Sequence, residues 1–171
     1  MSTLIEQLGE MAKKDTKVRA VLKRSLSFDP GTYPPAFPYV EPRVHQDENH
    51  WRRTVYYLVA GLWALNSQDN PGYRQSLSSA CGMLYISNGK APSIEKRFIS
   101  LLDADEGQIS YRLRQLVALL KDFSINFDEL LNDLVSWNHP GKFIQIKWAK
   151  CFYRSEEKTD NEPETSNIKE I

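Results

Sequence analysis

Apolar residues recur along this chain at helical spacing almost from end to end. Between residues 3 and 26, Leu4, Ile5, Leu8 and Met11, then Val18, Val21 and Leu22, fall three or four positions apart, which predicts one or two helices. Asp15 or Thr16 stands where the second would be capped. Residues 49 to 65 carry the widest stripe: Trp51, Val55, Leu58, Val59, Leu62 and Leu65, extended round the helix by Tyr56, Tyr57 and Trp63. A helix apolar on so many sides belongs in the core. Residues 73 to 86 form a short helix of small side chains (Ser76, Ser78, Ser79, Ala80, Gly82) that lets another helix approach closely. Ser93 is the expected N-cap of the next, whose inner face is Ile94, Phe98, Leu101 and Leu102. Residues 108 to 121 turn Ile109, Leu113, Leu116, Val117 and Leu120 inward. Asn126 followed by Glu129 is a capping-box signature for a helix bearing Phe127, Leu130, Leu131, Leu134 and Trp137. The last helix, from about 142 to 154, buries Ile144, Trp148, Cys151 and Phe152.

The interruptions are as clear as the helices. Residues 28 to 42 hold five of the nine prolines. Proline lacks a backbone donor and stops a continuing helix, so this stretch is expected to be an extended crossover. Tyr33, Phe37 and Tyr39 would pin it to the helical body. Turns are expected at 67 to 72, 103 to 107 and 137 to 141. Alternating β-branched runs are absent. The pattern predicts an all-α protein, a single helical bundle of roughly eight helices over residues 1–154. From Ser155 the chain is polar and aperiodic, so residues 155–171 are expected to be a disordered acidic tail.

Charge changes this picture. The net is formally zero, but residues 155–171 hold six acidic and two basic side chains, while the remainder holds 20 basic and 16 acidic ones. A body of +4 with a tail of −4 suits a polyanionic partner. Lys23 and Arg24 lie at a helix C-terminus, where cations also complement the helix dipole. Lys96 and Arg97 project away from the Ile94–Phe98 stripe. Arg114 and Lys121, seven apart, fall on one flank of the helix expected at 108 to 121. Lys147, Lys150 and Arg154 share a face of the last helix with no carboxylate interleaved, which suggests a surface for anions, with a plain solvated face as the alternative. Arg52 and Arg53 oppose the dipole of the central helix, and ion pairing with Asp47 or Glu48 is their plain explanation.

Catalytic patterns are missing. There is no glycine-rich phosphate loop, no HExxH and no paired-cysteine metal motif. His45 and His50, five apart, do not share a helix face. Asp103 and Asp105 have no third ligand nearby, and His139 beside Pro140 is a loop residue. Cys81 and Cys151 lie in apolar helical patterns and are expected to be reduced and structural, as in a bacterial or archaeal cytosol. No apolar leader opens the chain, and the longest apolar run is far short of the roughly 20 residues that cross a bilayer. The expectation is a soluble cytoplasmic protein, without cofactor or metal and without enzymatic activity.

In order, VRAVLKRS, YYLVAGLWAL, SIEKRFISLLDAD, YRLRQLVALLK, FDELLNDLVSW and KWAKCFY resemble the small subunit of the type I-E CRISPR Cascade complex, the CasB family. The resemblance covers most of residues 19 to 153. It implies an all-helical, non-catalytic protein, present as two copies in a crRNA-guided surveillance complex beside the Cascade backbone and large subunits. There it would brace the hybrid of crRNA and target DNA and help hold the displaced strand. The family's basic positions fall on Lys23 and Arg24, on Lys96 and Arg97, on Arg114, and on Lys142. With Lys121, Lys147 and Lys150 from the helical pattern, these make up the candidate nucleic-acid-binding set. Two departures stand out: the turn Asp103-Ala104-Asp105-Glu106 is acidic, and position 115 is Gln where Arg would suit. The rival expectation is a purely structural adaptor whose cations meet acidic protein surfaces. Four or so phosphate contacts to a single strand would give a salt slope of roughly −3, a modest term that an assembly could amplify through effective concentration.

Overall fold

The computed structural model describes residues 2–45, 49–66 and 71–160. Among them are nine α-helices: α1 (Leu4–Lys14), α2 (Lys17–Ser25), α3 (Phe37–Val40), α4 (His50–Leu65), α5 (Leu77–Ser87), α6 (Pro92–Leu102), α7 (Ile109–Leu119), α8 (Phe127–Val135) and α9 (Phe143–Asp160). The only extended pairing among the described residues is an isolated bridge between Gln75 and Ile125. The all-α expectation holds.

α4 is the central element. Val55, Tyr57, Leu58, Val59, Leu62 and Trp63 are all buried, and α1, α2, α3, α7 and α8 pack round it. On the other side α5 and α9 form the most intimate pair, with α6 against both and against α7. The small residues of α5 do what their size suggests. A Cβ on Gly82 would lie 2.5 Å from Ser155 Oγ and 2.8 Å from the Phe152 carbonyl. Two polar links tie the turn between α7 and α8 to the rest of the fold. Gln75 N–H donates to Ser124 O and Gln75 O accepts from Asn126 N. Buried Asn66, just past α4, donates through Nδ2 to the carbonyls of Leu120 and Phe123.

Local expectations met varied outcomes. Asn126 accepts the Glu129 N–H as the cap of α8. The Asp15 carboxylate, rather than Thr16, accepts a first-turn N–H of α2, from Lys17. α6 opens with Pro92 at its first position after Ala91, so Ser93 is not the cap. The stretch 28–42 is not extended. It winds through a 3-10 turn at Pro34–Ala36, the helical turn α3, and a second 3-10 turn at Glu41–Arg43. Four of its five prolines, Pro34, Pro35, Pro38 and Pro42, occupy the first or second positions of these turns, where no backbone donor is required. Tyr33, Phe37 and Tyr39 pack on the core as expected.

α9 continues past Arg154 to Asp160. Ser155 extends the buried stripe of Ile144, Trp148 and Phe152, donates to Cys151 O, and lies beneath Gly82. The remainder of the expected tail, 161–171, lies outside the described residues. Cys81 is buried and Cys151 partly so. Burial, and secondarily the neighbouring Cys151, push the Cys81 thiol up to about 12, consistent with an inert structural thiol. No helix among the described residues is long and apolar enough to cross a membrane.

Candidate nucleic-acid interface

The clearest grouping of cations lies where α2 ends. Leu22 and Ser25 point into the core, which leaves Lys23 and Arg24 exposed. Arg114 comes to the same place from α7, donating from Nη1 to Leu26 O at 2.9 Å. Arg114, far along the chain, thus reaches the helix end that bears Lys23 and Arg24, and its guanidinium is oriented by a carbonyl at that helix C-terminus. Arg19, earlier on α2, lies over the Trp63 ring at 4.0 Å and is tied to the body.

Lys121 does not share this flank. α7 stops at Leu119, and Leu120 leaves the helical conformation with φ −92° and ψ 25°. The turn that follows is held by Asn66, so the seven-residue register with Arg114 is lost. Lys121 is exposed on that turn.

On α6, Ile94, Phe98 and Leu101 are buried, and Lys96 and Arg97 are exposed opposite them. Lys142 is exposed at the entry to α9, with φ 50°. On α9 the expectation of three unpaired cations needs correction. Lys147 Nζ lies 2.6 Å from Asp133 Oδ1, and the other carboxylate oxygen accepts the buried Trp148 indole N–H at 2.7 Å. The carboxylate that is absent from α9 comes from α8. Lys150 is exposed on the same helix. Phe143, Ile146 and Tyr153 are 47%, 50% and 40% exposed, an apolar strip running between these cations.

The acidic turn after α6 has a structural explanation. Asp105 Oδ1 accepts the Gln108 N–H and caps the approach to α7. Glu106 accepts from Asn138, and the Ala104 carbonyl receives the buried Trp137 indole N–H at 3.1 Å. His139 accepts the Gly141 N–H and packs edge-on against Phe143. Trp63, Trp137 and Trp148 are buried, as expected of core residues.

Arg53 is a fold clamp. It grips both oxygens of Glu41 at 3.1 and 3.0 Å, donates to Gly31 O, and covers the Tyr57 ring. The Tyr57 hydroxyl also donates to Glu41. Arg53 and Tyr57 together hold the Glu41 carboxyl below its ordinary 4.5. Burial, then Glu41, pushes the Tyr57 phenol up. The partners expected for Arg53, Asp47 and Glu48, lie outside the described residues.

Phe28 belongs to no helical stripe, and periodicity gives it no role. It stands on the turn beside Lys23 and Arg24 and is 48% exposed. The available signal is an aromatic soon after the basic LKRS element, hidden because it also opens the proline-rich stretch.

These features define a helical protein with inward-facing indoles, cations on a helix end and on two helix faces, and one cation cluster assembled across the fold. The chain belongs to the CRISPR-associated protein Cse2 family, whose model matches residues 18–153. It is 43% identical over 155 residues to the CRISPR-associated protein Cse2 of Thermus thermophilus, covering 87% of this chain and 88% of that one. The crystal structure of M. ruber CasB superposes with a TM-score of 0.78 at 36% identity, over 94% of this chain and 98% of that one. A chain of a CRISPR RNA-guided surveillance complex shares the fold at 21% identity and a TM-score of 0.72, over 92% of each chain.

Proposed function

We propose that this Cse2-family chain is a non-catalytic subunit of a crRNA-guided surveillance complex of the type I-E Cascade kind. In that complex it contacts nucleic-acid backbone, stabilising the guide–target hybrid and the displaced DNA strand. The observation that carries this reading is the meeting of Lys23, Arg24 and Arg114, fixed by the Arg114–Leu26 hydrogen bond. Cations presented as a group on an ordered frame suit phosphates, which position a strand without reading its sequence. Base pairing with the guide then supplies specificity. The complex acts in the cytoplasm, needs no cofactor from this subunit, and places it beside backbone and large subunits and a second copy of itself.

The test uses the assembled complex. Lys23→Ala/Arg24→Ala and Arg97→Ala/Arg114→Ala are purified through a tag on another subunit, and both incorporation and target-DNA affinity are measured. The expected result is full incorporation with target binding weakened several-fold. Full incorporation with unchanged affinity would sink the backbone-contact reading.

A second reading, the structural adaptor, is favoured by the strip of Phe143, Ile146 and Tyr153 among Lys142 and Lys150. Apolar residues rimmed by cations fit an acidic protein surface. On that reading Ile146→Asp, rather than the α2 and α7 variants, drops out of the complex.

A further inference from the structure

Phe28 is an exposed ring in an ordered frame. α2 ends in tightening turns: Leu26 N–H donates to Lys23 O, Ser27 N–H to Arg24 O and Phe28 N–H to Ser25 O, at 3.1–3.2 Å. Phe28 therefore stays within about a turn of Lys23 and Arg24, two residues from the carbonyl that Arg114 holds. The chain then reverses. Thr32 donates its N–H and its hydroxyl to Asp29 O. Gly31 takes φ 82°, a conformation open to glycine, and its carbonyl receives Arg53 from the Glu41 clamp. The reversal sets Tyr33 parallel to Phe28, with ring centroids 4.7 Å apart and planes within 6°.

Tyr33 covers one face of Phe28, yet the residue as a whole stays 48% exposed, which leaves much of the side chain to solvent. A single exposed apolar residue is ordinary. A ring fixed by stacking, on a turn held from three elements and beside three cations, is a different arrangement. The face turned away from Tyr33 is flat, and Lys23, Arg24 and Arg114 outnumber Asp29, the exposed carboxylate next in the chain.

We propose that Phe28 is a stacking platform for one unpaired base of a single-stranded nucleic acid. The base extends the Tyr33–Phe28 stack, while Lys23, Arg24 and Arg114 meet the adjoining phosphates. This rests on the nucleic-acid reading above and adds to it the mode of contact and the residue. Aromatic stacking tolerates any base, which suits a protein that leaves sequence to the guide. The contact is separable from the phosphate contacts because stacking does not depend on counterion release.

The experiment titrates dye-labelled oligothymidylate with the purified chain at low salt and across a salt series. Wild type is compared with Phe28→Ala, Phe28→Leu, Phe28→Trp and Lys23→Ala/Arg24→Ala, with thermal melts to verify folding. Phe28→Ala should weaken binding roughly 5- to 150-fold and leave the salt slope unchanged. Phe28→Leu should resemble Phe28→Ala, and Phe28→Trp should bind like wild type with its indole fluorescence quenched by the oligonucleotide. The Lys23/Arg24 variant should flatten the slope by about 0.7 for each lost contact. Wild-type affinity in Phe28→Ala, with weakened binding in the Lys23/Arg24 variant, overturns the platform and leaves the backbone reading standing. Wild-type affinity in Phe28→Leu overturns it in favour of a plain apolar contact. No binding by the wild-type chain also overturns it, whereas the backbone reading is judged separately by its variants in the assembled complex.

Discussion

Asp133 shows how a single carboxylate decides the meaning of its neighbours. It is buried, and its two oxygens take Lys147 and the Trp148 indole at 2.6 and 2.7 Å. Asp133→Ala leaves a buried indole N–H without its acceptor, which costs about 1–3 kcal/mol. Lys147 has a half-exposed side chain and the indole bond to Asp133 survives its removal, so Lys147→Ala should cost less than Asp133→Ala. Urea unfolding of the two variants measures the difference, and equal losses would mean that the ion pair, not the indole, dominates. The Glu41 clamp gives a pH prediction. Its carboxyl is held below 4.5 in the folded state, so its contribution is present above that value and is lost as pH falls through the lowered folded value. Tyr57 is raised above 10.0, so its contribution is present below pH 10 and is lost as pH rises further. Urea midpoints across pH should therefore fall less steeply toward acid in Glu41→Gln than in wild type, and less steeply toward alkali in Tyr57→Phe. Neither arrangement was legible in the sequence, because Asp133 and Lys147 lie on different helices and Glu41 sits in the proline-rich stretch.

The helices themselves were legible because the 3.6-residue period is written in large apolar side chains. Their ends were less so. A cluster of prolines suggests extended chain, yet Pro34, Pro35, Pro38 and Pro42 start short helical turns; a missing donor is harmless where no donor is required. α9 outran its expected end because Ser155, polar on its own, is small enough to fit beneath Gly82. That contact carries a prediction at the scale of the helix pair. A Cβ at Gly82 meets the backbone oxygen of Phe152, which cannot move like a side-chain tip. Gly82→Ala should therefore separate α5 from α9 and destabilise the protein by about 1–3 kcal/mol, although alanine is the better helix former. Chemical denaturation decides it. A gain in stability would mean that the α5–α9 contact has room for a methyl group.

At the scale of the molecule, the formal charge is zero, so any attraction to a polyanion must come from where the cations are placed. The sequence supplied the cations but not their neighbourhoods: Arg114 joins Lys23 and Arg24 only through the contact of α7 with Leu26. Lys147 is already engaged by Asp133, and Lys121 stands off the helix that was to align it with Arg114. The salt dependence of single-strand binding should therefore be unequal among cations that look alike in sequence. Removing Lys23, Arg24 and Arg114 together should flatten a slope of roughly −3 by about 2, at about 0.7 per contact. Lys147→Ala should leave the slope within error of wild type, since its charge is matched before any strand arrives. Anisotropy titrations over a salt series measure both. A larger change from Lys147 than from the α2–α7 cluster would move the binding surface to α9, and the strip of Phe143, Ile146 and Tyr153 would then line a nucleic-acid track rather than a protein interface.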